Sequence, residues 1–247
     1  MATPDTARDI RILETAEEVA RAAADSFTDI ALASIAAEGR FSVALSGGST
    51  PRRTYQLLAS AEYRNRIDWS KVHIFFGDER CVPPTHADSN YRMVEEAMLS
   101  RLPIPEENVH RIIGEGDAHA NASLYESELQ TFFDGAPWPR FNLVLLGMGD
   151  DGHTASLFPG TAALKENRAW VVANWVEKFQ SYRITLTAPA INHTANIFFL
   201  VAGAGKAERL HEVLRRARDP LRLPAQLIQP VAGSLVWLVD KAAAARL

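Results

Sequence analysis

The sequence predicts an α/β protein, a mostly parallel, doubly wound sheet flanked by helices. Short apolar runs alternate with longer amphipathic ones, the pattern of successive strand–helix–strand units. Four of the apolar runs end in glycine or serine followed by polar groups, as strands that deliver a ligand site at their carboxyl ends do. No internal repeat, low-complexity tract or linker interrupts this pattern, so residues 1–247 read as a single domain.

The elements follow in order. Glu14–Glu38 is Ala-rich with apolar spacing near the helical period. Phe41–Leu45 reads as a buried strand and Pro51–Ser60 as a helix with proline in its first turn. Val72–Phe76 is a strand, followed by a helix from Ser89 to Leu102. A helix over Ala118–Phe133 precedes the strand Phe141–Leu146. Tyr182–Thr187 alternates apolar and polar residues, so it is half-buried. Ile197–Val201 leads into a helix over Lys206–Arg218, and Leu235–Val239 closes the sheet. Gly135–Pro139 and Asp219–Pro224 are proline-containing turns.

Composition narrows the function classes. With 26 Lys+Arg against 30 Asp+Glu, the net charge is −4, without the basic excess of a general nucleic-acid binder. Cys81 is the only cysteine, so neither an intrachain disulfide nor a cysteine-based zinc site is available, and a reducing compartment is expected. Its own role, packing or reactivity, stays open. The N-terminal MATPDTARDIRILETAEE lacks the basic-then-apolar order of a secretion signal. No apolar run approaches the roughly 20 residues of a membrane helix. A soluble, cytoplasmic protein with a small-molecule partner, no membrane and no nucleic acid is expected, as a monomer or a homodimer.

The four strand ends run into Ser46-Gly47-Gly48-Ser49-Thr50, Gly77-Asp78-Glu79-Arg80, Gly147–His153 and Gly203-Ala204-Gly205-Lys206. Any one of them alone reads as plain turn chemistry. If the strands are parallel, all four loops share one crevice. Gly47, Gly48, Ser49 and Thr50 form a candidate anion cradle, because small residues admit backbone N–H groups to a phosphate and Pro51 marks a helix N-terminus. No Lys-Ser/Thr follows at Walker spacing. Ser46 is no elbow nucleophile, since Ala44 stands where that motif needs glycine.

Gly147–Gly152 matches G-x-G-x-x-G, yet Asp150 and Asp151 would repel a pyrophosphate. About 20 residues on, Val171-Val172-Ala173-Asn174 offers no ribose-binding acid. The same loop supports a different chemistry. Asp151-Gly152-His153 sets a carboxylate two residues from an imidazole, which it can orient and make more basic. His153 is the candidate general base; the bland alternative is a loop-bracing histidine. Among the other histidines, His73, His110 and His211 read as strand or helix surface residues. No histidine or cysteine cluster has metal-ligand spacing, so no metal or other cofactor is implied.

Arg80, Arg183 and Lys206 are the candidate phosphate clamps. Lys206 opens a helix, an unfavourable place for a cation unless an anion lies between them. A solvated surface lysine is the competing reading. Arg183 alternates away from the apolar side of its strand, and Asp78 and Glu79 beside Arg80 read as local ion pairs.

With these residues in hand, the chain resembles the 6-phosphogluconolactonase family. The matching segments are Ser46–Pro51 (SGGSTP), Phe76–Arg80 (FGDER), Asp88–Asn90 (DSN), Gly147–Pro159 (GMGDDGHTASLFP) and Gly203–Lys206. The closing stretch Pro224–Asp240, with Gly233 and Trp237, fits as well. The resemblance runs from about Arg11 to Lys241. It implies a Rossmann-like fold shared with glucosamine-6-phosphate deaminase and ribose-5-phosphate isomerase. It also implies cofactor-free hydrolysis of 6-phospho-D-glucono-1,5-lactone, with His153, Asp151 and Arg80 catalytic and Gly47, Gly48, Ser49, Thr50, Asp78, Arg183 and Lys206 on the substrate. Arg80 could serve the phosphate or the oxyanion. The nearest rival is a glucosamine-6-phosphate deaminase, whose pattern looks like GHIAFNEP, with a functional glutamate where this chain has Phe158. A non-catalytic sugar-phosphate sensor on the same fold is the alternative from another class.

Overall fold

The computed structural model describes residues 9–247, so the first eight residues of the N-terminal stretch inspected for a secretion signal lie outside the described part. In chain order the strands are β1 (Asp9–Leu13), β2 (Phe41–Leu45), β3 (Val72–Phe76), β4 (Asp78–Arg80), β5 (Leu143–Leu146), β6 (Val171–Val176), β7 (Ser181–Leu186), β8 (Asn196–Val201) and β9 (Ser234–Asp240). The helices are α1 (Ala16–Glu38), α2 (Ser49–Leu58), α3 (Asn90–Ala97), α4 (Ala118–Phe132), α5 (Ala188–Asn192) and α6 (Ala207–Arg215).

Six strands form a parallel sheet in the order β1-β9-β8-β5-β2-β3. From β2 the chain steps outward to β3. It then returns across β2 to β5 and continues through β8 to β9. The winding direction therefore reverses between β2 and β5, and the carboxyl ends of these neighbours open the crevice where doubly wound sheets bind ligands. β2 and β5 are buried along their whole length, as strands covered by helices on both faces must be. Across β8 and β9 the paired residues Phe199 and Trp237 stack at 3.9 Å with rings 4° from parallel.

Local chemistry sets the helix ends. Thr15 caps α1 by accepting from Glu18 N, while the Glu18 carboxylate accepts from Glu14 N, satisfying two exposed donors. Gly39, at φ 75°, takes the left-handed turn that ends the helix. Ser89 and Asp117 cap α3 and α4 in the same way.

Several elements differ from expectation, each for a physical reason. The helix expected to reach Leu102 ends at Ala97, because Met98 leaves helical geometry (φ −141°) and Ser100 Oγ bonds Glu95 O. The strand expected from Phe141 begins at Leu143, since the Asn142 side chain takes the Ser42 N–H at 2.8 Å. The helix expected over Lys206–Arg218 spans Ala207–Arg215, with Lys206 in a preceding 3₁₀ turn. The last strand does not close the sheet. β9 is interior and β1, a short and largely exposed strand absent from the sequence reading, lies at the edge. β4, β7 and β6 form a separate three-stranded antiparallel sheet. That placement removes any dinucleotide reading of residues 171–174, which belong to this second sheet.

His73 and His110 are not the surface residues expected. His73 Nδ1 lies 3.3 Å from His110 Nε2, and His110 Nδ1 lies 2.6 Å from Glu128 Oε1. The His110 ring stacks on Phe75 at 4.2 Å. Burial, the neighbouring His110 and Arg40 push the His73 imidazole down to about 4. An unfolded chain takes this proton near 6.5, so between about 6.5 and 4 the unfolded state binds more protons and stability falls as pH falls. Urea midpoints are expected to drop across that window in the wild type, and less steeply in His73→Phe. Equal slopes would contradict the account.

Candidate active site

Beyond the carboxyl ends of β2 and β5 lies a cleft of about 340 Å³. All four loops anticipated from the sequence contribute to it: Ser46–Pro51 after β2, Asp78 and Arg80 after β3, Gly147–Gly149 and His153 after β5, and Lys206 after β8. Of the ten residues singled out for the site, nine line this cleft. Asp151 does not; it stands behind His153 and borders a neighbouring cavity of about 730 Å³.

The anion cradle is built by two glycines. Gly48, at φ 110°, precedes the first residue of α2, and no side chain caps that helix. Its first N–H groups are therefore free for an anion, with the helix dipole aligned. At Gly47 an added Cβ would fall 2.0 Å from Asn90 Oδ1, so the glycine leaves room for the Asn90 side chain against the loop. Ser46 N donates to Tyr55 Oη at 3.1 Å, which pins the start of the loop, while Ser46 Oγ is buried without a hydrogen-bond partner.

His153 and Asp151 form a close pair. Asp151 Oδ1 lies 2.5 Å from His153 Nδ1 and accepts from His153 N at 3.2 Å. Burial works against the Asp151 charge, but the hydrogen bonds and charge of His153, with Lys178 at 3.7 Å, hold its carboxyl well below the usual range. In the neutral imidazole, an Nδ1 engaged by a carboxylate carries the hydrogen and leaves the lone pair on Nε2. Among the described residues Nε2 has no hydrogen-bond partner, and the residue lines the cleft.

The cations come from both sheets. β4 and β7 pair with Arg80 directly opposite Arg183. Like charges at opposed positions repel, and among the described residues neither guanidinium forms an ion pair with a carboxylate. Burial and the Arg80 charge push the Arg183 guanidinium down from its ordinary value, though an arginine this basic stays charged. Arg183 lies 5.0 Å over the Phe179 ring, and its guanidinium donates to Ser181 Oγ and Tyr182 O. Arg80 donates to Asp88 O. Lys206 is not a free cation, because its Nζ pairs with Asp150. The anion opposite it in this structure is therefore a side chain.

Asp78 and Glu79 form no ion pair with Arg80, contrary to one reading of that segment. Asp78 Oδ2 accepts from Ser156 Oγ at 2.6 Å, and its Oδ1 from Asn90 Nδ2 at 3.3 Å. Glu79 accepts from the backbone N–H groups of Arg80, Asn90 and Tyr91 and from Ser89 Oγ. Burial raises its carboxyl while those three backbone bonds lower it, with a net upward displacement. These two carboxylates brace the loop that carries Arg80 and Asn90. Burial also pushes the Cys81 thiol up, so it is not an activated thiolate.

Asn90, Ser156 and Phe179 belong to the site although sequence reasoning did not select them. Asn90, in the DSN segment, and Ser156, in GMGDDGHTASLFP, had a local signal. Phe179 arrives through the turn between β6 and β7, which no spacing in the chain reveals.

An α/β sheet with a cation-lined cleft at its switch point, and a carboxylate-oriented imidazole facing that cleft, defines a class of small-anion enzymes. The family model described as glucosamine-6-phosphate isomerases/6-phosphogluconolactonase matches residues 14–237. The chain belongs to this family. A 6-phosphogluconolactonase of Nostoc is 46% identical over 214 residues, covering 85% of this chain and 86% of that one. The solved 6-phosphogluconolactonase from Trypanosoma cruzi superposes with a TM-score of 0.86 at 28% identity, covering 97% of both chains. A monomeric glucosamine-6-phosphate deaminase superposes with a TM-score of 0.82 at 19% identity, covering 97% of this chain and all of that one, which shows the shared fold.

Proposed function

We propose that this chain hydrolyses 6-phospho-D-glucono-1,5-lactone to 6-phosphogluconate, the second step of the oxidative pentose phosphate pathway, as a cytoplasmic single-domain enzyme. The observation that carries the reading is His153, oriented by Asp151 behind it, on the same cleft as two opposed arginines without carboxylate partners. His153 Nε2 takes a proton from water as the water oxygen attacks the lactone carbonyl. The tetrahedral intermediate collapses by breaking the bond between the carbonyl carbon and the ring oxygen, which receives the proton from His153. A positioned base contributes ~10²–10⁴ in rate and an oxyanion donor ~10²–10³. Lactone hydrolysis of an ester this reactive needs only water, a base and oxyanion stabilisation, with no covalent intermediate.

The backbone of Gly47–Thr50, Arg183 and Lys206 grip the phosphate, and Arg80 serves either the phosphate or the oxyanion. Substrate phosphate then displaces Asp150 as the partner of Lys206. Lys206→Ala is expected to raise KM about 10-fold or more with a smaller change in kcat, since charged hydrogen bonds contribute roughly 1.5–3 kcal/mol each. An unchanged KM would remove Lys206 from the clamp.

Phe158, where the deaminase pattern has its glutamate, weighs against aldose–ketose proton shuttling. The His153–Asp151 pair weighs against a sensor, which needs no base. Incubation with freshly generated phosphogluconolactone, and in parallel with glucosamine 6-phosphate, separates the three. Acid release from the lactone is expected; ammonia release, or binding without turnover, would overturn the proposal.

A further inference from the structure

The His153 ring is not held by Asp151 alone. Its face stacks on Phe158, with ring centroids 4.0 Å apart and planes 27° from parallel. Phe158 is only 6% exposed, so this contact sits in a largely dehydrated setting. Phe158 meets Phe179 edge-on at 5.7 Å, and Phe179 in turn lies beneath the Arg183 guanidinium at 5.0 Å. A continuous line of aromatic contacts therefore joins the imidazole to one of the cations across the cleft. Asp151 bonds one edge of the imidazole, which leaves rotation about that hydrogen bond open; a ring on its face closes it.

We propose that Phe158 is a positioning residue for proton transfer, fixing the plane of the His153 imidazole and favouring the imidazolium formed when the base accepts a proton. The inference rests on the general-base reading of His153. Aromatic faces carry negative potential and attract cations most strongly where water is excluded. In the reaction His153 gains its charge as it takes the proton of the attacking water. A ring face that favours that state over the neutral one thus acts on the transition state more than on bound substrate. Asp151 and Phe158 play separate parts. The carboxylate selects which nitrogen is free, and the phenyl ring sets where its lone pair points.

Steady-state kinetics compare Phe158→Leu, which keeps apolar volume and loses the aromatic face, with Phe158→Tyr, which keeps the face. Phe158→Met runs in parallel in case the Leu variant does not fold, with near-UV circular dichroism as the check. Two readouts are taken: turnover of the phosphorylated lactone, and the pH midpoint of the His153 Cε1–H resonance without substrate. The Leu or Met variant is expected to lose about 3- to 30-fold in kcat with KM little changed. Its resonance midpoint is expected to move down by about half to one pH unit. The Tyr variant is expected to retain both. A wild-type midpoint and kcat in the Leu or Met variant, or equal impairment in Tyr and Leu, would overturn the assignment. If the wild type proves inert toward the lactone, the activity reading fails, and the resonance midpoints still decide whether the ring favours the imidazolium.

Discussion

His153→Asn is expected to lose about 10²–10⁴ in kcat on the phosphorylated lactone while KM and the fold stay close to those of the wild type. Asparagine occupies similar space on a loop that is only partly buried, so the β5 carboxyl end keeps its shape. What it lacks is a nitrogen lone pair able to accept a proton near neutral pH. KM should hold because Gly47–Thr50, Arg183 and Lys206 are untouched. Progress curves corrected for spontaneous hydrolysis check this, and a variant that still turns over at the wild-type rate would remove the base assignment.

Gly149→Ala should be nearly as damaging although the methyl group has no chemistry. A Cβ at this position would fall 2.0 Å from both Cε1 and Nδ1 of His153. Neither partner yields cheaply: the imidazole is held by Asp151 and Phe158, and Gly149 N bonds His153 O at 2.9 Å. The ring must shift by about 1 Å or more, a displacement that can cost ~10² in rate when it misaligns a reacting group. The expected signature is a fall in kcat with phosphate binding retained, read by product inhibition with 6-phosphogluconate. A wild-type kcat would mean that the loop relaxes without moving the base.

Much of the fold was legible because its signals are local. Phe41–Leu45 and Val72–Phe76 coincide with β2 and β3, and their glycine-rich exits announce the crevice. The loops Ser46–Thr50 and Gly147–His153 are contiguous, so their residues could be read as candidates without any knowledge of strand order. What stayed hidden depends on pairing between distant segments. Arg80 and Arg183 oppose each other only through the β4–β7 register. Asn90 reaches the cleft because Gly47 has no side chain to exclude it. β1 escaped notice because five residues at a sheet edge, none of them fully buried, give too short a run to set apart from the helix that follows. Asp150, which the sequence offered only as a charge repelling a pyrophosphate, proves to be the partner of Lys206.

A crystal structure of the protein with bound 6-phosphogluconate tests the account most directly. The phosphate is expected against the N-terminus of α2, contacted by Arg183 and by a Lys206 released from Asp150. The product carboxylate is expected within hydrogen-bond reach of His153 Nε2. A phosphate bound elsewhere, or a carboxylate facing away from the imidazole with the sugar otherwise ordered, would contradict the proposed hydrolysis.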